Sequence, residues 1–215
     1  HKKEAGKTTQ SVGCADCHQK LWDEAKAANK ADSKPRLGTV VQNIEAYKKS
    51  FHALPGKADK SKPKASCDGC HDTHSFNIPP ANSPAHAQWR LQGPALCGEA
   101  CHSDALDAYK ESVHGKEALE KKNVKSAICS DCHTAHAVGN TSAAPIKLAI
   151  TQSCGSCHTQ EFKSYKATYH GQINTLGYAN TAKCFDCHGS HEVLPIKDPA
   201  SKVHADNRMD TCKSC

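Results

Sequence analysis

The sequence predicts a mainly α chain with much irregular coil, low in regular structure and wrapped around something other than its own side chains. Three observations lead there. Only 37% of the 215 residues are hydrophobic and 5% aromatic, and the mean hydropathy is −0.67. A chain this polar buries too little apolar surface to offset its conformational entropy unaided. Helix-forming runs alternate with Pro/Asn/Asp-rich stretches, and no alternating strand pattern is visible. Finally, 14 cysteines fall into seven close pairs, so cross-links, metals or a large apolar cofactor must supply the interior.

The helices are expected at residues 16–30, 40–51, 103–121 and 159–169, which are rich in Ala, Lys and Glu with few breakers. The Gly that follows His114 and His170 reads as a helix C-terminus, which would put each His on a last turn. Residues 78–84 and 195–200 read as loops.

Six of the cysteine pairs are followed at once by His. They are Cys14, Cys17, His18; Cys67, Cys70, His71; Cys97, Cys101, His102; Cys129, Cys132, His133; Cys154, Cys157, His158; and Cys184, Cys187, His188. Five have the CxxCH spacing, and the third is CxxxCH. The seventh pair, Cys212 and Cys215, reads as the start of a further motif. CxxCH is the attachment motif of c-type haem. Two thiols add to the two porphyrin vinyl groups, and the adjacent imidazole reaches the iron as proximal ligand. A zinc site or a disulfide framework would use the same cysteines. Neither explains a His after every complete pair. The expected cofactor is therefore haem c, seven copies in all, with the seventh inferred from Cys212 and Cys215. His18, His71, His102, His133, His158 and His188 would be the proximal iron ligands.

A repeat locates a second set of histidines. Tyr109 to Gly115 and Tyr165 to Gly171 share the pattern YKxxxHG, and each places a His 12 residues after a motif His. The first module has Tyr47 to His52 instead, 34 residues after His18, so it carries 22 extra residues, assigned to the stretch 25–37. The next cysteine pair starts 15, 15 and 14 residues after His52, His114 and His170. Each of these later motifs extends to CxxCHxxH, adding His74, His136 and His191. The chain thus reads as a single multihaem unit of three di-haem modules, 14–74, 97–136 and 154–191, plus the motif start at 212–215. Six recurrent histidines stand as distal iron ligands: His52, His74, His114, His136, His170 and His191. Three others, His204, His86 and His1, lie outside the repeat and are possible extra ligands for the seventh haem; a ligand beyond Cys215 or on another subunit is the alternative. No catalytic residue is assigned.

The formal charge of +6 does not indicate nucleic acid, because Lys is dispersed and no basic block is interleaved with aromatics. Roughly fourteen haem propionates would outweigh it and leave lysines facing propionates or an acidic redox partner. No apolar run is long enough to span a bilayer. The chain opens on His1, which reads as a processed product whose leader has been removed.

The segment Tyr109 to Gly115, with Cys129 to His136, resembles the recurring element of multihaem cytochromes with doubled CxxCH motifs. That group includes periplasmic and outer-surface cytochromes of metal- and sulfate-reducing bacteria. The resemblance covers most of the chain from Cys14 on. It implies haem attachment outside the cytoplasm, hence a periplasmic or extracellular address. It also implies a continuous row of close haems with redox proteins or extracellular acceptors as partners. Some members polymerise into cytochrome filaments, so a homo-polymer is one expectation. The CxxxCH site and the missing His after Cys215 depart from the common pattern.

Two functions are expected from this reading. One is electron transfer through bis-histidine haems, as a shuttle or a filament subunit. The other is a multihaem reductase of a small nitrogen or sulfur compound, which needs one iron with an open position.

Overall fold

The computed structural model describes residues 13–71 and 77–214. His1, His74 and Cys215 lie outside the described residues. The chain is 57% helical with almost no strand. The one β-bridge among the described residues joins Pro55 and Pro63. The mainly α fold with much coil is thus what the chain adopts.

The chain divides into two compact units, His1–Asn77 with Ala135–Val138, and Ile78–Thr134 with Gly139–Cys215. In the first unit, helix α1 (Cys14–Ala27) and helix α2 (Pro35–Lys48) pack together. Asn29, at φ 52°, turns the chain out of α1, and Pro35 starts α2 with its φ already helical. The Trp22 ring lies where a side chain on Gly38 would begin, 3.1 Å from the ideal Cβ position. Ala25 and Val41 are buried here.

The second unit runs α3 (Pro84–Trp89), α4 (Gly93–Gly98), α5 (Ser103–Glu111), α6 (Val113–Gly115), a π-helical turn (Lys116–Glu120) and α7 (Cys129–His133). It continues with α8 (Ala144–Cys157), α9 (Thr159–Ala167), α10 (Tyr169–Thr175), α11 (Cys184–His188) and α12 (Arg208–Lys213). Its apolar core is small: Leu106, Tyr109, Ala118 and Ile128, with Leu91 and Leu119 at its edge.

The helix expected over 103–121 is interrupted. Ser112 is extended at ψ 161°, and its hydroxyl accepts from the N–H of Gly115 while donating to the carbonyl of Tyr109, at 2.9 and 2.6 Å. Thr168 does the same between Gly171 and Tyr165. Ser and Thr compete with the helix in this way because their hydroxyls offer the backbone a local alternative. His114 and His170 therefore open a new helix and do not close an old one. Gly115 has an ordinary φ of −65°. Glycine is required by proximity: a Cβ there would lie 1.8 Å from the Tyr109 carbonyl oxygen, and at Gly171 2.1 Å from that of Tyr165. Helix α8 was not expected, since Ile146, Leu148 and Ile150 do not mark out one face.

Candidate functional site

The motifs are built in two ways. In the second motif of the later modules, the cysteines start a short helix, α7 or α11. Asp131 and Asp186 cap it by accepting from the N–H of Ile128 and Lys183 at 2.7 and 2.8 Å. Each capping carboxylate has a cation: Arg90 from α3's end for Asp131, and Lys183 itself for Asp186. The motif His then ends the helix, and the chain reverses through a positive φ, 62° at Thr134 and 90° at Gly189. The first motif of each later module instead sits at the end of a helix, α4 or α8, and its His (His102 or His158) stands at the N-cap of the next. In the first module, the His18 ring nitrogen Nδ1 lies 2.8 Å from the Cys14 carbonyl, which fixes the ring on its own motif.

The thirteen cysteines among the described residues carry free thiols, none of them fully buried. Within each module the first cysteines of the two motifs meet: Cys14 with Cys67, Cys97 with Cys129, and Cys154 with Cys184. Donating to one thiolate and withholding from its partner splits the pairs. Cys97 and Cys154 are brought down to about 7, while Cys129 and Cys184 are pushed well up. The two attachment sites of a module are thus adjoining.

The histidines are brought together across modules. Among the described residues, three histidine ring pairs stand out: His71 with His136 at 5.9 Å between centres, His114 with His158 at 6.0 Å, and His133 with His191 at 6.1 Å. Ordinary ring contacts span a range of about 4.5–7 Å, so distance alone does not single these out. Membership does, because every pair joins one motif His to one repeat-placed His. Two imidazoles bound on opposite sides of one metal, with bonds of about 2.0–2.1 Å, would also have centres about 6.4 Å apart. The interplanar angles, 15°, 58° and 37°, are all open to such an arrangement. Burial lowers the pKa of His71, His114, His133 and His136, favouring the neutral imidazole that ligates metals.

Two devices hold these pairs, and neither was foreseen from the sequence. Each repeat Tyr donates its hydroxyl to an Ala carbonyl two residues ahead of the next cysteine pair: Tyr47 to Ala65 at 2.6 Å, Tyr109 to Ala127 at 2.8 Å and Tyr165 to Ala182 at 2.9 Å. The Tyr was visible in the repeat, and the recurrent Ala-x-Cys was the unread half of the signal. The second device is a clasp. The residue before the repeat His donates its backbone N–H to a Val two residues past a CxxCHxxH end: Phe51 to Val138 at 2.7 Å, and Val113 to Val193 at 2.9 Å. This is why Ala135–Val138 groups with the first unit. The tail carrying His136 lies against the turn carrying His52, and it thereby reaches His71.

The remaining histidines are placed as follows. His86 lies 5.4 Å from the Trp89 ring on α3. His204 lies 3.5 Å from the Asp206 carboxylate. His102 is close enough to His133 to act on its charge. His170 is exposed, edge-on to Tyr169 at 6.2 Å. His188 is also exposed.

The residues fit porphyrins attached through the motifs. Among the described residues, no group of three or more His, Cys, Asp or Glu is arranged to hold a bare metal ion. No helix among them is long and apolar enough to cross a membrane.

Residues 122–163 match the family described as the doubled CXXCH motif. No curated protein and no solved structure matches the chain. The matched segment carries the second motif of one module and the first of the next, Cys129 to His133 and Cys154 to His158. Taken with the same motif repeated along the rest of the chain, the match supports a multihaem c-type cytochrome.

Proposed function

We propose that the chain conducts electrons, outside the cytoplasm, along a row of c-type haems whose irons are held between two histidines. The observation that carries this reading is the pairing of motif and repeat histidines at 5.9–6.1 Å. Haem, when bound, supplies a reversible one-electron carrier. The protein's part is to hold these carriers close, fully ligated and shielded. His71, His133 and His158 are the proximal ligands of three of them, with His136, His191 and His114 opposite. His18, His102 and His188 are the proximal ligands of three more, and the pair at Cys212 carries the seventh. The adjoining first cysteines support close contact of the two haems in a module. The histidine pairs support continuity from one module to the next. An iron held on both sides has no position for substrate, so the chain acts as a carrier. Its partners are redox proteins or extracellular acceptors, and its address is periplasmic or extracellular, where haem attachment takes place. Shuttle and filament are both compatible with this design, and electron microscopy distinguishes discrete particles from polymers.

The test is the EPR spectrum of the fully oxidised, haem-loaded protein, with spins counted against haem content. All-low-spin iron is the expected result. A high-spin fraction near one haem in seven would overturn the carrier reading and point to the reductase. His136→Met and His191→Met should each convert one haem from bis-His to His/Met ligation and leave the others unchanged.

A further inference from the structure

His114, the His of one YKxxxHG turn, meets His158, the His of the first motif of the following module, with ring centres 6.0 Å apart. His170 has the same local frame. Thr168 caps its turn, Gly171 lies against the Tyr165 carbonyl, and Tyr165 is latched to Ala182. Yet His170 is exposed where His114 is half-buried. Its neighbour Tyr169 is 73% exposed, whereas Val113, the equivalent residue, is half-buried and donates to Val193.

The next motif in series after His170 is the one at Cys212, and its surroundings repeat those of the motif at Cys154. Asn140 and Asp198 each lie 14 residues ahead of the first cysteine. Each accepts, through its side chain, from the N–H two residues on, and through its carbonyl from the N–H three residues on. A helix then leads into the cysteines, α8 or α12. Helix α8 packs on α7, so that Cys154 and Cys157 act on Cys132. Asp186 of α11 lines one cleft together with Asp210, Thr211 and Ser214 at and after α12. The spacing is the same to within two residues: 40 residues separate His114 from Cys154, and 42 separate His170 from Cys212.

We infer that His170 is the distal iron ligand of the haem attached at the Cys212 motif. Of the three histidines outside the repeat, His204 and His86 have local partners in Asp206 and Trp89, and His1 lies outside the described residues. The inference rests on the multihaem reading and names one ligand within it.

The experiment uses the haem-loaded full chain, with haem counted by mass and ligation read by EPR and near-infrared magnetic circular dichroism. His170→Met should give one haem in seven the near-infrared signature of a Met ligand. The double variant Cys212→Ser, Cys215→Ser should lose the mass of one haem, and in that background His170→Met should have no spectroscopic effect. His204→Ala should be silent in both. A His/Met signal that survives in the Cys212/Cys215 variant would assign His170 to another haem and overturn the inference. So would a silent His170→Met in the parent, a change of ligation with His204→Ala, or an undiminished haem mass in the double variant. The other six haems staying low-spin throughout separates failure of this assignment from failure of the multihaem reading.

Discussion

The turns Tyr109 to Gly115 and Tyr165 to Gly171 have nearly the same sequence and the same internal hydrogen bonds, yet their surroundings differ. The first is enclosed by Leu106, Ala118 and Ile128 and anchored to Val193. The second is exposed at Tyr169, His170 and Leu176, the last at 87%. Around the first, Asp131 is paired directly with Arg90, a residue far off in sequence that also donates to the carbonyls of Val124 and Ser126. Around the second, Asp186 is neutralised locally by Lys183, whose ammonium also donates to Ala179 and Thr181. The lesson is that the short repeat specifies its own backbone, while burial comes from what the chain lays against it later.

One added methyl group on each turn should separate the two most strongly. Gly115→Ala forces a contact with the Tyr109 carbonyl beside the apolar core and should cost about 3 kcal/mol or more, whereas Gly171→Ala, at a buried glycine whose neighbours Tyr169 and His170 are exposed, should cost about 2 kcal/mol. Denaturant unfolding of the haem-loaded chain, followed by far-ultraviolet circular dichroism, measures both. Next comes the latch. Tyr109→Phe strands the half-buried Ala127 carbonyl beneath a buried ring and should cost about 1–2 kcal/mol, with Tyr165→Phe at the low end near 1 kcal/mol because the Tyr165 ring is only half-buried. Equal losses for the two would erase the distinction in burial.

A smaller effect of opposite sign sharpens the comparison. Thr134 is a β-branched residue at φ 62°, where the third module has Gly189 at φ 90°. Relief of that strain should make Thr134→Gly more stable by about 1 kcal/mol, and Gly189→Ala less stable by a similar amount. Thermal midpoints of the paired variants should move in opposite directions.

Much of the candidate site was legible because its spacing is dictated by chemistry. Cys pairs with an adjacent His, and histidines recurring at fixed offset, survive as residue identities. The clasp of Phe51 on Val138 did not, because a backbone hydrogen bond leaves no trace in side chains. The break at Ser112 was hidden inside a run of good helix formers. Gly115 was conspicuous, but its reason, the nearby Tyr109 carbonyl, exists only once the turn is formed. Which histidines meet was equally invisible, since His71 and His136 belong to different modules.

The reversal after His133 and His188 carries a consequence in time. Because the chain turns back there, the partner of His71 lies 65 residues downstream, and that of His133 lies 58 downstream. A chain delivered from its N-terminus exposes His71 well before His136 exists to meet it. Under the proposed ligation, the second haem of the first module and that of the second are each completed only by the arrival of the next module. Maturation would then advance along the chain with a lag of one module, as a zip fastener closes behind its slider.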